Sequence, residues 1–374
     1  MLQRFPIRVK LFIALAVPLF ALLVVAAFEV VQTTAERTEI NQEADLSSSS
    51  SGNGSLLSKI EDERNAVATF LTGQGGNLEL AVEDLEEAFA ATDDVRADFT
   101  ESVDGLGGEV AEAFGPALDN LDTLAELRAE VQGFDGELGI ANFPQAQGVF
   151  DRYSELMAPL FDASRDVTLE IDDPDLRRGA ELLDLAAHQT DLFAKLTMNV
   201  LTAVLSDASG VDTPDEIATI SGLKAELDEN QDSIETKAAG DYRPLVETLL
   251  TTPHVEEFSA LVDQARSTGT VNALELLTAA DGSDNPGGHA YSLFRAEVEE
   301  VRSADADRLS DAATRRVFTY WGLAFLALVV AGLATWLVSR SITRPLRALT
   351  RQATEMANHR LPDAVLDILD TPLG

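Results

Sequence analysis

The chain has 374 residues, with 27 lysines and arginines against 64 aspartates and glutamates, a formal net charge of −37, and no cysteine. So acidic a chain repels nucleic acid and anionic headgroups, which excludes nucleic-acid binding as a function. Without cysteine there are no disulfides and no thiolate metal sites, so an exported domain would have to be held together by packing alone.

Residues 1–10 carry Arg4, Arg8 and Lys10 and precede the uncharged run Leu11–Phe28, which closes at Glu29. We read 11–31 as a first transmembrane helix, since an apolar stretch approaching 20 residues crosses a hydrocarbon core of about 30 Å. A cleavable signal peptide is the alternative, but such peptides have an apolar region of roughly 7 to 15 residues and a small-residue cleavage site. Here the run is longer, contains Pro18, and passes Ala26-Ala27 into Glu29-Val30-Val31 without a small-x-small site. A second uncharged run, Val317–Val338, defines a second span over 317–338 and leads into Arg340 and Arg344. Basic residues flank the outer end of each run, so both termini are expected in the cytoplasm and residues 32–316 outside it, with the lipid bilayer between. Three basic residues precede the first run and five follow the second, while four acidic residues follow the second. That leaves 19 bases and 60 acids in the exported part. Most of that acidity reads as solvated helix faces.

The exported part has few alternating β-branched runs and many Ala, Leu, Glu and Asp stretches with apolar positions three and four apart, so the fold class is all-α. Ser47–Ser51 followed by Gly52-Asn53-Gly54-Ser55 reads as a flexible joint. After it, Leu56, Ile60, Val67, Phe70 and Leu71 form one stripe that Gly73 stops. The punctuation that follows bounds helices at Leu78–Val103, Val110–Val131, Pro144–Leu169, Leu176–Leu205, Glu216–Lys237, Pro244–Ala265 and Leu274–Ala279. Pro174, Pro214 and Pro286 stand where a helix can begin, since the missing N–H costs nothing there. Roughly eight to ten helices result, enough for two bundles. The last one runs from about Gly288 into the membrane with Tyr291, Phe294, Val298, Val301 and Leu309 on one stripe, and no breaker separates it from Val317.

Beyond the membrane, over 339–374, Ile342, Leu346, Leu349, Ala353 and Met356 fall at alternating spacings of four and three. A single helix cannot bury such a seam, so it implies a parallel partner in a homodimer. Leu361-Pro362 is expected to end this helix. His188, His254, His289 and His359 are scattered, with no zinc-protease, nucleophile-elbow or phosphate-loop motif, so no catalytic residue, metal or cofactor is assigned and the chain as given is not read as an enzyme.

Ser341-Ile342-Thr343-Arg344-Pro345-Leu346-Arg347-Ala348-Leu349 resembles the first helix of a HAMP linker, the membrane-proximal relay of histidine kinases and chemoreceptors. Arg360-Leu361-Pro362-Asp363-Ala364-Val365 is similar to the linker of large actinobacterial sensor kinases that carry an external nitrate- and nitrite-sensing domain. Leu56–Gly73, with Glu63-Arg64-Asn65-Ala66 before Phe70-Leu71, resembles that domain's first helix, and Ala290–Ala312 its closing helix. Asn65 departs from the glycine the family favours, and Ala194-Lys195-Leu196 stands where related domains often carry a second Glu-Arg pair. The resemblance implies two antiparallel four-helix bundles stacked end to end, and a membrane receptor that senses a small anion. It implies Pro345, Ile342, Leu346, Leu349 and Met356 as relay residues, and a histidine kinase or response-regulator pathway as the output beyond Gly374.

Nitrate is planar with its charge spread over three oxygens, which a guanidinium fork matches with two parallel hydrogen bonds. Arg64 is therefore the first candidate ligand residue, with Lys195 and Arg295 next. The competing reading pairs Arg64 with one of the many acidic neighbours, an interaction worth about 0 to 1 kcal/mol at a surface. Two other classes stay open: a chemoreceptor module for organic acids or amines, and a ligand-free sensor of envelope stress. Leu349→Asp is expected to break the cytoplasmic seam and uncouple signalling while leaving ligand affinity outside unchanged. Disulfide crosslinking between paired helices that survives this substitution would remove the seam assignment.

Overall fold

The structure, a computed structural model, describes residues 20–21, 24–25, 27–28, 30–34, 48–52, 54–73, 78–106, 108–134, 139, 142–206, 211, 213–281 and 287–355. The described residues contain helices and turns and no strand. In chain order the helices are α1 (Leu56–Thr72), α2 (Leu78–Leu106), α3 (Gly108–Asn120), α4 (Leu124–Gln132), α5 (Phe143–Glu170), α6 (Pro174–Ser206), α7 (Pro214–Lys237), α8 (Arg243–Leu250), α9 (Pro253–Thr268), α10 (Ala273–Asp281) and α11 (Gly287–Glu355). The chain divides into two compact units, Glu39–Leu309 and a second made of Met1–Thr38 with Ser310–Gly374.

Local chemistry sets the ends. Ser55 caps α1 by accepting from the Ser58 N–H at 3.2 Å, and Gly73 closes it at φ +66°, a left-handed conformation that favours glycine. Thr213 and Glu216 form a reciprocal capping box at the start of α7, with Pro214 at its first position. Sequence reasoning merged two pairs of helices. A 3-10 turn at Leu121–Thr123 separates α3 from α4, and Pro253 opens a new helix after the turn at Thr251. The backbone N–H that proline lacks cannot continue α8, so the expected Pro244–Ala265 helix becomes two.

The expected flexible joint is also corrected. Residues 48–51 are helical, and the hydroxyls of Ser50 and Ser51 meet Ser164 of α5 at 3.1 and 2.8 Å. A Cβ on Gly52 would lie 2.4 Å from the Ser48 carbonyl oxygen, so the glycine serves a close approach rather than looseness.

Within Glu39–Leu309 the apolar residues gather in two main cores. The first joins α1 to α5 and holds an edge-to-face pair, Phe99 and Phe114, with centroids 5.1 Å apart. The second joins α6 to α10 and the start of α11, around Phe193, which lies 4.4 Å from Phe258 and 5.4 Å from Tyr291. Helices α5 and α6 serve both, since Phe143 and Phe150 of α5 enter the second core and Ala187 of α6 the first. α1 packs on α2, α5 and α6 and exposes only Asp62, Asn65 and Thr69, so it is buried almost all round. The departure at Asn65 therefore falls on the solvent side.

In the other unit, the apolar stretch of α11 exposes large side chains such as Phe318 and Phe325. Among the described residues α11 alone, over Ala290–Ala334, is a helix long and apolar enough to cross a membrane. Much of the first expected span lies outside the described residues, as do residues 1–10, Asn285-Pro286, Met356, His359 and Leu361-Pro362. Ile342, Pro345, Leu346 and Leu349 fall inside the helical range of α11.

One buried ion group ties the first core. Glu63 on α1 accepts from Arg128 Nε and Nη2 of α4 at 2.8 and 2.7 Å and from the Tyr153 hydroxyl of α5 at 2.7 Å. Arg128 also reaches Asp93 of α2 and lies over the Phe89 ring. Glu63→Ala strands a guanidinium and a phenol beneath the surface, and the expected loss of stability is about 3 to 5 kcal/mol in chemical denaturation.

Candidate functional site

The helical repeat places Glu61 and Arg64, three residues apart, on a shared side of α1. Glu63 points instead into the Arg128 clamp. Arg64 is wholly buried. Its Nη1 donates to the Ser154 hydroxyl of α5 at 2.8 Å and to Asp191 Oδ1 of α6, and its guanidinium carbon sits 4.1 Å from the centroid of the Phe150 ring. Its Nε and Nη2 have no partner. Arg295 on α11 is equally enclosed, at 2 % exposure. Its Nη2 donates to Glu61 Oε2 at 3.3 Å, while Nε and Nη1 have no partner.

Four guanidinium nitrogens are thus buried and unpaired on two arginines. Each unsatisfied buried donor costs about 1 to 3 kcal/mol and calls for an explanation. The arrangement can take an acceptor with delocalised negative charge and several oxygens, which is what paired guanidinium forks recognise. Three cations, Arg64, Arg295 and Lys195, lie here among the carboxylates Glu61, Asp191, Asp62 and Asp151, so positive charge is concentrated on the two buried guanidinium groups inside a strongly negative chain. At physiological salt the distant acidic faces are screened beyond about 8 Å, so the groups adjacent to the guanidiniums set the local field.

The carboxylates behave differently. Burial raises Glu61 to about 7 against the pull of Arg295 and Arg64, with Asp191 and Asp62 adding to the rise. Burial would raise Asp191 too, but Arg64 and Lys195 outweigh it and hold that carboxyl below its ordinary value.

Of the three residues picked from sequence, the structure brings Arg64 and Arg295 together through Glu61, which feels both. Lys195 lies one step away at the protein's edge, 26 % exposed, with its amine on Asp191 Oδ2 at 2.7 Å. The pairing alternative for Arg64 holds in part: it does meet an acid, but Asp191 from another helix rather than a surface neighbour, and that contact leaves half its fork free. Sequence reasoning missed Glu61, Asp191, Ser154 and Phe150. Only the four-residue spacing of Asp191 and Lys195 on one helix was a usable signal. Among the described residues no group of three or more His, Asp or Glu could hold a metal ion.

The family described as nitrate and nitrite sensing matches residues 55–323. Among solved structures, that of the NasR transcription antiterminator is similar with a TM-score of 0.57 and 17% identity, covering 92% of this chain and 90% of that one. At that identity the likeness shows a shared fold. Comparison with curated proteins gives no match.

The raised carboxyl of Glu61 has a consequence for stability. Between its ordinary value of 4.5 and about 7 the folded chain keeps a proton that the unfolded chain has released. Its contribution is therefore full below that window and lost as pH rises through it, by on the order of 3 kcal/mol. Thermal melts are expected at lower temperature at pH 8 than at pH 5.5, and Glu61→Gln is expected to reduce that difference.

Proposed function

Because the chain belongs to the nitrate- and nitrite-sensing family, we propose that it is a membrane receptor that binds nitrate or nitrite between Arg64 and Arg295 and passes a helix shift along α11. The observation that carries the reading is the set of four unpaired guanidinium nitrogens buried on those two arginines. A planar anion satisfies donors from both forks at once, and charge-assisted bonds of this kind are worth roughly 1.5 to 3 kcal/mol each. The Phe150 ring against Arg64 holds that guanidinium plane in place, leaving less of it to be ordered on binding.

The transmission follows from which helices carry the ligands. Arg64 belongs to α1, and Arg295 to a helix that continues to Glu355. Without the anion Arg295 leans on Glu61 at 3.3 Å, a long contact for a charged pair. An anion bridging the arginines replaces that contact with a shorter one, and only such a difference between the two states can shift their balance. Because helices move as stiff elements, a small displacement at Arg295 travels along α11. The exposed apolar stretch after Val317 supports a membrane crossing, and the heptad of Ile342, Leu346 and Leu349 after it supports a dimeric relay of the HAMP type. In this reading the chain is a two-pass protein with the sensor outside and both termini in the cytoplasm. Its output is a histidine kinase acting on a response regulator.

Calorimetric titration of the full chain in detergent tests the binding step. Saturable heat is expected with nitrate and nitrite and not with chloride at the same ionic strength. Arg64→Lys and Arg295→Lys keep the charge but lose the fork, and each is expected to weaken binding at least about ten-fold, or roughly 1.4 kcal/mol. Lys195→Ala is expected to do less, because its amine is already on Asp191. A folded sample that gives no heat with either anion would return the ligand-free envelope sensor to first place.

A further inference from the structure

The buried atoms without a hydrogen-bond partner include the four guanidinium nitrogens of Arg64 and Arg295 and, on the carboxylate that Arg295 touches, Glu61 Oε1. An anion that satisfies the arginines brings its own negative oxygens into a space where Glu61 is 3% exposed and already shares Arg295 through Oε2. If Glu61 were ionised, two negative groups would compete for the same guanidinium with no water to screen them. If Glu61 carries a proton, its free oxygen becomes a donor and the conflict turns into a hydrogen bond. We propose that Glu61 is itself a ligand of the anion, engaging it as a carboxylic acid through Oε1–H, so that each anion enters the site together with one proton. This inference rests on the anion reading of Arg64 and Arg295.

The balance is simple. A carboxylate, a proton from solvent and an anion become a carboxylic acid hydrogen-bonded to that anion, and the net charge of the buried group does not change. Charge neutrality of the uptake matters because the enclosed site has little water to absorb a new charge. Nitrate and nitrite are far less basic than this buried carboxylate, so the proton stays on Glu61.

The surroundings of Glu61 are consistent with this. From α11 it meets Arg295, from α1 itself Arg64 and Asp62, and from α6 Asp191, whose far oxygen is taken by Lys195. α5 brings Asp151 toward Arg64 and Lys195, where burial raises its carboxyl. On the other side of α1, Arg128 of α4 is committed to Glu63 and to Asp93 of α2. Burial already holds Glu61 at about 7, so a proton is within easy reach near neutral pH, and a bound anion raises its proton affinity further.

The test is nitrate titration of the full chain in detergent at pH 6 and pH 8, in buffers of low and high ionisation enthalpy. Nitrate does not titrate in this range. A group near 7 is mostly protonated at pH 6 and mostly ionised at pH 8, so affinity is expected to fall about ten-fold between them. At pH 8 the buffer dependence of the heat should report close to one proton taken up per nitrate. Glu61→Gln keeps a donor and removes the titration, so it should bind with less than about two-fold change across the range and with no proton uptake. Asp184, the other carboxyl that burial lifts to about 7, is neighboured by Arg165, Asp162 and Glu181, and Asp184→Asn should leave the uptake intact. Wild-type heats that are independent of buffer, a pH profile unchanged in Glu61→Gln, or uptake lost in Asp184→Asn would each overturn the proposal. Absence of nitrate binding at every pH would overturn the anion reading and this inference with it. Buffer-independent binding would leave the anion reading intact, so the two failures are distinguishable. If Glu61→Gln fails to fold, the buffer dependence of the wild type together with Asp184→Asn decides the question.

Discussion

Burying a guanidinium away from water is expensive unless its hydrogen bonds are made, and around this constraint the sensor unit is organised. Arg64 is given Ser154, Asp191 and the face of Phe150, drawn from two other helices, yet keeps two nitrogens unpaired. Arg295 is given a single long contact to Glu61. In the proposed reading this unmet hydrogen-bonding capacity is what an anion would satisfy.

Such a site needs a rigid frame, because loose helices would relax until the arginines paired with something else. The frame comes from the residue beside Arg64 in the chain. Glu63 projects about 100° around α1 from Arg64, and there it accepts three hydrogen bonds from Arg128 and Tyr153. Three other helices are thereby tied to α1, through α4 and α5 directly and through Asp93 of α2. Adjacent residues thus divide the work, one carboxylate fixing the helix and one guanidinium left available. Arg295 lies on α11, the helix that runs on to Glu355.

Much of this was legible in the sequence. Spacings of three and four in apolar residues identified the helices, and proline and glycine marked most of their ends. The ends that differ from expectation are those where a break needs no strong signal, as at the 3-10 turn after Asn120, or where a proline, Pro253, interrupts an otherwise continuous apolar periodicity. The Ser-Gly run before α1 misled because its composition resembles a linker, while its serine hydroxyls in fact pair with Ser164, 113 and 114 residues away in the chain. Arg64 stood out by its motif. Nothing local distinguished Arg295 from the other arginines of the same helix.

By itself the sequence determined the secondary structure, the apolar run of α11, the acidity of the surface and the family of the sensor, because each depends on residues close together in the chain or on simple counts. Only the tertiary structure decided which charges are buried and which of their atoms go unpaired. Glu61 and Arg295 are 234 residues apart, and Arg64 and Asp191 are 127 apart. No periodicity reports contacts over such separations. They exist because the fold packs α1 against α6 and brings Arg295 of α11 to Glu61, away from bulk water, where each missing hydrogen bond counts.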